Sequence, residues 1–168
     1  GIHVLIKAMP RVIHEIKDVH FVLTGAGNSR PYRQMIEKMR ISSRNCNFVG
    51  YIRNFDDLPG LYSIASAYAA PTLYENFPFR VLENMSCQTP VVATKTVGIP
   101  EMITDGVNGL LVPPSNYERL AEEIVNVIND KVLAKRLGQN ARRTIERQFT
   151  FQEFANRTKE VYDWVAHA

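Results

Sequence analysis

Long apolar runs, cysteine and an excess of one sign of charge are all scarce in this chain of 168 residues. No stretch approaches the roughly 18 consecutive apolar residues that a membrane-spanning helix needs. The N-terminus lacks the basic, apolar and small-residue succession of a signal peptide. Two cysteines, Cys46 and Cys87, stand 41 positions apart, with no CxxC pair and no Cys/His cluster at zinc spacing. Their apolar neighbours make both of them buried free thiols of a reducing, cytoplasmic compartment in this reading. Twenty basic residues against 17 acidic ones leave a formal charge of +3. The cations are scattered rather than gathered in a stripe with aromatics between them, which argues against a nucleic-acid partner. A solvated helix face explains them best, and a weakly basic face on an anionic membrane surface is the minor alternative. There is no low-complexity segment and no run of like charge, which leaves disorder only to the last few residues.

What is present is ordinary for a folded domain: 45% hydrophobic and 22% charged residues, enough for one sizeable core. Short apolar runs alternate with helical patterns. The runs are residues 20–24, 47–49, 67–70, 90–94 and 109–112. Each is nearly continuous in apolar residues and bounded by Gly, Pro or polar residues, as in strands buried on both faces of a parallel sheet. Helical spacing covers about 2–15, 29–41, 54–65, 78–88 and 116–129, and helices alone fill 116–166. The expected fold is therefore α/β, a Rossmann-like doubly wound and mostly parallel sheet with a helical C-terminal third. Asn116 and Thr150 are placed to cap helices, with Glu153 spaced from Thr150 for a capping box. No boundary divides residues 1–168, so a single domain is expected. Gly1 leads straight into an amphipathic helix with no initiator methionine, so the chain is expected to be a piece of a longer protein. The first strand of a doubly wound sheet lies at its centre. That strand is the one without a counterpart here, so a central defect is expected, filled by a neighbouring chain or by further residues.

Ligands of such sheets bind beyond the carboxyl ends of the strands. The first strand-to-helix loop, Thr24-Gly25-Ala26-Gly27-Asn28, is half of a dinucleotide fingerprint, but Arg30 replaces its third glycine. A tight turn letting the backbone approach a ligand or neighbour is favoured over an NAD site. The loop from Pro71 to Met85 carries more. Asn76 suits an N-cap and Pro78 suits the first turn, so free N–H groups and the positive end of the helix dipole would face the crevice. That is a ready site for phosphate. Glu75 precedes the helix, and Glu83 lies about 8 Å further along its axis at about 1.5 Å per residue. A surface loop glutamate and an ordinary solvated helix glutamate remain the alternative reading. Pro100 opens a second helix start at the carboxyl end of the next strand. Two such starts beside two carboxylates favour a ligand with both phosphates and hydroxyls, such as a nucleotide-sugar.

Tyr74-Glu75-Asn76-Phe77-Pro78 and Leu82-Glu83-Asn84-Met85-Ser86-Cys87-Gln88-Thr89-Pro90-Val91-Val92-Ala93, with the spacing Glu75-x7-Glu83, form a familiar string. Together with Val22 to Gly27, Phe48 to Ile52, Gly98-Ile99-Pro100-Glu101 and Asp105 to Pro114, it resembles the C-terminal, donor-binding domain of GT-B-fold retaining glycosyltransferases. The likeness is to family four, the glycosyltransferase group one type, and covers nearly the whole chain. It implies that Glu75 holds hydroxyls of the donor sugar and that backbone N–H groups of Asn76, Phe77, Pro78 and Phe79 bind the diphosphate. It implies that Glu83 binds the ribose hydroxyls and that Tyr51 and Ile52 border the nucleobase. Gly25 and Gly27 belong to the same donor-binding set. A UDP- or GDP-sugar would be the substrate, with no cofactor and no metal; the sequence has no Asp-x-Asp.

Two positions depart from the family's pattern. Gln88 stands where glycine is frequent, and Val97 stands where the first of two glycines is frequent, so a side chain there would crowd the sugar or diphosphate. The family's opening strand, with its diphosphate-neutralising cations, and its N-terminal acceptor domain would precede Gly1. The isolated chain is therefore expected to be inactive. A GT-B sugar-nucleotide epimerase and a non-catalytic nucleotide-binding module are the competing readings.

Overall fold

The structure, a computed structural model, describes residues 1–167. Helix α1 (Ile2–Glu15) buries Val4, Leu5, Ala8, Met9 and Val12, which recur at helical spacing and form one apolar stripe. Then follow β1 (Phe21–Thr24), α2 (Arg30–Lys38), β2 (Cys46–Gly50), a 3-10 turn (Phe55–Asp57), α3 (Leu58–Ile64), β3 (Tyr68–Ala70) and α4 (Phe79–Ser86). β4 (Val91–Thr94), α5 (Ile99–Met102) and β5 (Leu110–Val112) complete the alternation, and α6 (Tyr117–Asn129), α7 (Lys131–Gln148) and α8 (Phe151–Ala166) close the chain. The α/β class and the helical last third are as expected. Strand ends agree with the apolar runs to within a residue. Two helices stop earlier than their patterns suggest. Arg40 (φ 54) ends α2 and Gln88 (φ 61) ends α4, both in the left-handed conformation that usually terminates a helix at glycine.

Every strand pair is parallel, and the expected central defect parts the strands into two sheets: β1–β2, and β3–β4–β5. In the three-stranded block the apolar run of β4 is buried throughout. Val92 packs into one core with α1 and α6, while Val91 and Ala93 pack into a second core with Val81, Met85, Ile99 and Met102. Alternate side chains thus feed opposite faces, each covered by helices. β1 departs from this expectation, because Val22 is 44% exposed and Thr24 is exposed as well.

The reason is a gap between β1 and β3. A cavity of about 810 Å³ separates them, walled by Phe21 to Thr24, Tyr68 and Ala69, with Ile2 and Leu5 of α1. The Phe21 N–H donates to Asn45 O at 2.7 Å and the Gly25 N–H to Gly50 O at 2.9 Å. Alternation along the strand therefore turns the backbone groups of Val22 and Thr24 away from β2. The Tyr68 N–H donates to Pro90 O at 2.8 Å, so Ala69 likewise turns away from β4. Both strands present unpaired edges to the gap.

The caps expected at Asn116 and Thr150 are formed, accepting from the N–H groups of Arg119 (2.9 Å) and Glu153 (3.1 Å). The capping box is only half closed, because the Glu153 carboxylate instead takes the Arg157 guanidinium at 2.8 Å. Cys46 is buried as expected, but Cys87 is only half-buried.

Candidate functional site

The loop between β3 and α4 is tied down by the strand beside it. The Thr94 hydroxyl donates to Thr72 O, and the Thr96 hydroxyl donates to Leu73 O at 3.2 Å. A β-carbon on Gly98 would run into the Asn76 carbonyl, so the backbones of the two loops touch directly. The starts of α4 and α5 consequently lie side by side. Asn76 is not the cap of α4. Pro78 occupies that position, with φ −74 and ψ 94, and no side chain caps the helix. Asn76 is two residues too early for the role, and its backbone is committed to the contact with Gly98. The first intrahelical bond runs from the Val81 N–H to Pro78 O at 2.9 Å, which leaves the N–H groups of Phe79 and Arg80 free at the helix start. Pro78, expected among the diphosphate donors, has no N–H and is buried. The Phe77 ring packs against Phe79 (5.6 Å between centroids) and Phe149 (6.1 Å).

Glu75 is exposed within the loop. Glu83 sits one helical turn beyond Arg80 and joins a closed polar triangle. The Tyr62 hydroxyl donates to Glu83 Oε2 at 2.7 Å, and Arg80 Nη1 donates both to that oxygen (2.6 Å) and to the Tyr62 hydroxyl (3.0 Å). Tyr62 is buried, and its carbonyl accepts from the buried Thr89 hydroxyl at 2.7 Å. Burial pushes the neighbouring Tyr68 phenol far above its ordinary value, and the charges of Glu75 and Glu83 add to the shift.

Across the gap, Gly25, Tyr51 and Ile52 line the cavity whose other wall carries Tyr62, Arg80 and Asn84. Gly25 (φ 144) and Gly27 (φ 109) hold backbone conformations that side chains avoid, with open space where a β-carbon would lie. Tyr51 is 54% exposed and meets Phe55 edge-on at 6.4 Å. The structure thus brings Gly25, Tyr51 and Ile52 to one wall and Tyr62 and Arg80, the partners of Glu83, to the other. Gly27, Glu75, Asn76, Phe77, Pro78, Phe79 and Glu83 itself lie outside the cavity lining, so neither glutamate lines it as expected. Sequence reasoning missed Tyr62, Tyr68, Arg80 and Asn84. The i,i+3 spacing of Arg80 and Glu83 was a visible signal for one pair; nothing local pointed to the tyrosines. Asn84 is 1% exposed, and its amide donates to Arg80 O at 2.8 Å. Its Oδ1 is buried without a partner among the described residues.

Val97 has φ 42, an outlier for a β-branched residue, and it is exposed between Thr96 and Gly98. Among the described residues, no group of three or more His, Cys, Asp or Glu is placed to hold a metal ion, and no helix is long and apolar enough to cross a membrane.

The family model for Glycosyl transferases group 1 matches residues 1–130. An uncharacterized glycosyltransferase of Methanocaldococcus jannaschii is 31% identical over 162 residues, which are 96% of this chain and 41% of that protein. Among solved structures, S. aureus TarM superposes with a TM-score of 0.87 at 24% identity, over 96% of this chain and 32% of that one. The Anabaena protein HepE, solved in complex with UDP-glucose, superposes with a TM-score of 0.81 at 25% identity, over 100% of this chain and 45% of that one. The chain therefore spans under half the length of these relatives.

Proposed function

The chain belongs to the group 1 glycosyltransferases, and from that premise we propose that it is the donor-binding part of a retaining enzyme. The enzyme transfers a sugar from a nucleotide-diphospho-sugar to a saccharide, lipid or other acceptor in the cytoplasm. One observation carries the reading: the uncapped start of α4, with free N–H groups, lies between Glu75 and Glu83 and against the start of α5. A diphosphate suits those N–H groups and the positive end of the helix dipole. Glu83 takes the ribose hydroxyls, Tyr51 and Ile52 border the base, and Glu75 takes hydroxyls of the sugar. The likeness to a protein solved with UDP-glucose supports a UDP-sugar in particular.

In this scheme no side chain attacks the anomeric carbon. The departing diphosphate is stabilised by N–H groups already aimed at it, each such donor being worth roughly 3 kcal/mol in the transition state. It also accepts the acceptor's proton on the same face, which retains the configuration. In the complete protein the gap between β1 and β3 is filled by one further parallel strand ahead of α1, and an acceptor domain supplies the remaining wall. The unpaired edges of Val22, Thr24 and Ala69 and the orphaned Asn84 Oδ1 support that completion.

Calorimetric titration with UDP-, GDP- and ADP-sugars, followed by NMR assignment of the product anomer in the complete enzyme, tests the proposal. Saturable binding of one donor and a retained anomer are expected. An inverted product, or sugar-nucleotide turnover that needs no acceptor, would overturn it; the latter outcome would indicate the epimerase reading. Glu75→Ala is expected to lower kcat strongly, because the sugar loses its positioning.

A further inference from the structure

The polar triangle beside α4 uses only one oxygen of Glu83. Oε2 accepts from both Tyr62 (2.7 Å) and Arg80 (2.6 Å), whereas among the described residues no protein donor reaches Oε1. A carboxylate has about four acceptor positions, two on each oxygen, so the structure saturates one oxygen and leaves the other open. The Tyr62 hydroxyl closes the ring by accepting from Arg80 Nη1 at 3.0 Å while donating to Glu83. This directionality fixes all three side chains at once.

Stability does not account for the arrangement. The Arg80 and Glu83 side chains are 46% and 39% exposed, and ion pairs in that range contribute little to folding. Arg80 also stands in the first turn of α4, where the helix dipole disfavours a cation. The tyrosine end is rigid by contrast. Tyr62 is 8% exposed, and its main chain is held by the buried Thr89 hydroxyl. The two side chains that hold the carboxylate, Tyr62 and Arg80, line the same cavity as Gly25, Tyr51 and Ile52.

We propose that Tyr62 and Arg80 are positioning residues for Glu83, holding Oε2 so that Oε1 alone is presented to the vicinal ribose hydroxyls of the nucleotide. This rests on the reading of Glu83 as the ribose-binding residue. A freely rotating glutamate would share its hydrogen bonds with water. Held by one oxygen, it distinguishes a ribonucleotide from one lacking its hydroxyls. In that reading the phosphates meet main-chain N–H groups and the base meets Tyr51 and Ile52, so the effect of the two side chains is confined to the ribose.

Calorimetric affinities of the complete protein for UDP and for 2′,3′-dideoxy-UDP test this. The unsubstituted protein is expected to prefer UDP by about tenfold or more, the range for hydrogen bonds to a charged group. Glu83→Ala should abolish the preference; a preference kept by Glu83→Ala, or absent from the unsubstituted protein, overturns the ribose reading itself. With that reading intact, Tyr62→Phe, which keeps the buried ring, should cut the preference several-fold and leave dideoxy-UDP binding unchanged. Combining Tyr62→Phe with Glu83→Ala should add nothing to Glu83→Ala alone. A Tyr62→Phe protein with the full preference overturns the role of Tyr62. Arg80→Met should act like Tyr62→Phe. Equal weakening of both nucleotides would instead make Arg80 a phosphate ligand and overturn its positioning role.

Discussion

The two strand blocks of this molecule are made from similar apolar runs and end in different states. In β3–β4–β5 the central strand is buried along its whole length, with separate helical cores on its two faces. In β1–β2 only Leu23 and Cys46 are buried, and Val22 and Val49 are 44% and 56% exposed. The first block carries the helix starts and both glutamates, where precise placement matters. The second carries Gly25, Tyr51 and Ile52 at the ends of a pair of strands whose β1 edge faces the gap unpaired. A strand is as buried as its neighbours allow, and the missing neighbour of β1 accounts for the contrast better than its composition does.

The most disruptive way to attack the well-packed block is Gly98→Ala. The new methyl group meets the Asn76 carbonyl, a backbone atom that cannot swing aside, so the contact between the two helix starts must open. A loss of about 3 kcal/mol in denaturant unfolding is expected, together with loss of nucleotide binding. Truncating the cores compares the blocks directly. Met85→Ala, at a residue with no exposure, should destabilise by about 2–5 kcal/mol, whereas Val22→Ala should stay within about 0.5 kcal/mol. Equal losses at the two sites would remove the contrast. Hydrogen exchange sharpens it further. The amides of Val22, Thr24 and Ala69, turned to the gap, should exchange fastest among the strands, and those of Val92 and Ala93 slowest. Filling the gap with a further strand should protect the first set.

The smallest effect concerns pH. Burial raises the Cys46 thiol above its ordinary value, and the charge of Arg33 opposes this weakly. A raised folded pKa contributes stability that is fully present below the unfolded value, about 8.5, and is lost as pH rises through the folded value. Thermal unfolding should therefore show a modest decline above that pH, reduced in Cys46→Ala after correction for the lost packing. Alkylation should reach the half-buried Cys87 before Cys46.

Much of the fold was legible locally. The stripe of α1 and the apolar runs locate their elements to within a residue or so, because burial repeats with the period of the element itself. Asn116 and Thr150 act as caps because a cap reaches only two or three residues. Local reading failed where a competing group intervened, near or far along the chain. Asn76 suits a cap by type, yet its backbone is engaged by Gly98. Glu153 has the spacing for a capping box, yet Arg157 holds its carboxylate. The site divides in the same way: Glu75, Glu83 and the glycines of the first loop were readable from motif spacing, whereas Tyr62, the partner of Glu83 from another helix, was not.

Sequence alone thus determined the parallel α/β alternation, the helical last third and the positions of the two glutamates on either side of a helix start. These follow from periodicity and from rules that span a few residues. Only the tertiary structure decided that β1 and β3 are the strands that face the gap, that Tyr62 reaches across 21 positions to Glu83, and that Asn84 keeps a buried oxygen without a partner among the described residues. Those outcomes depend on which edges and side chains meet after chain reversal, and no local pattern encodes a distance between segments brought together only by packing.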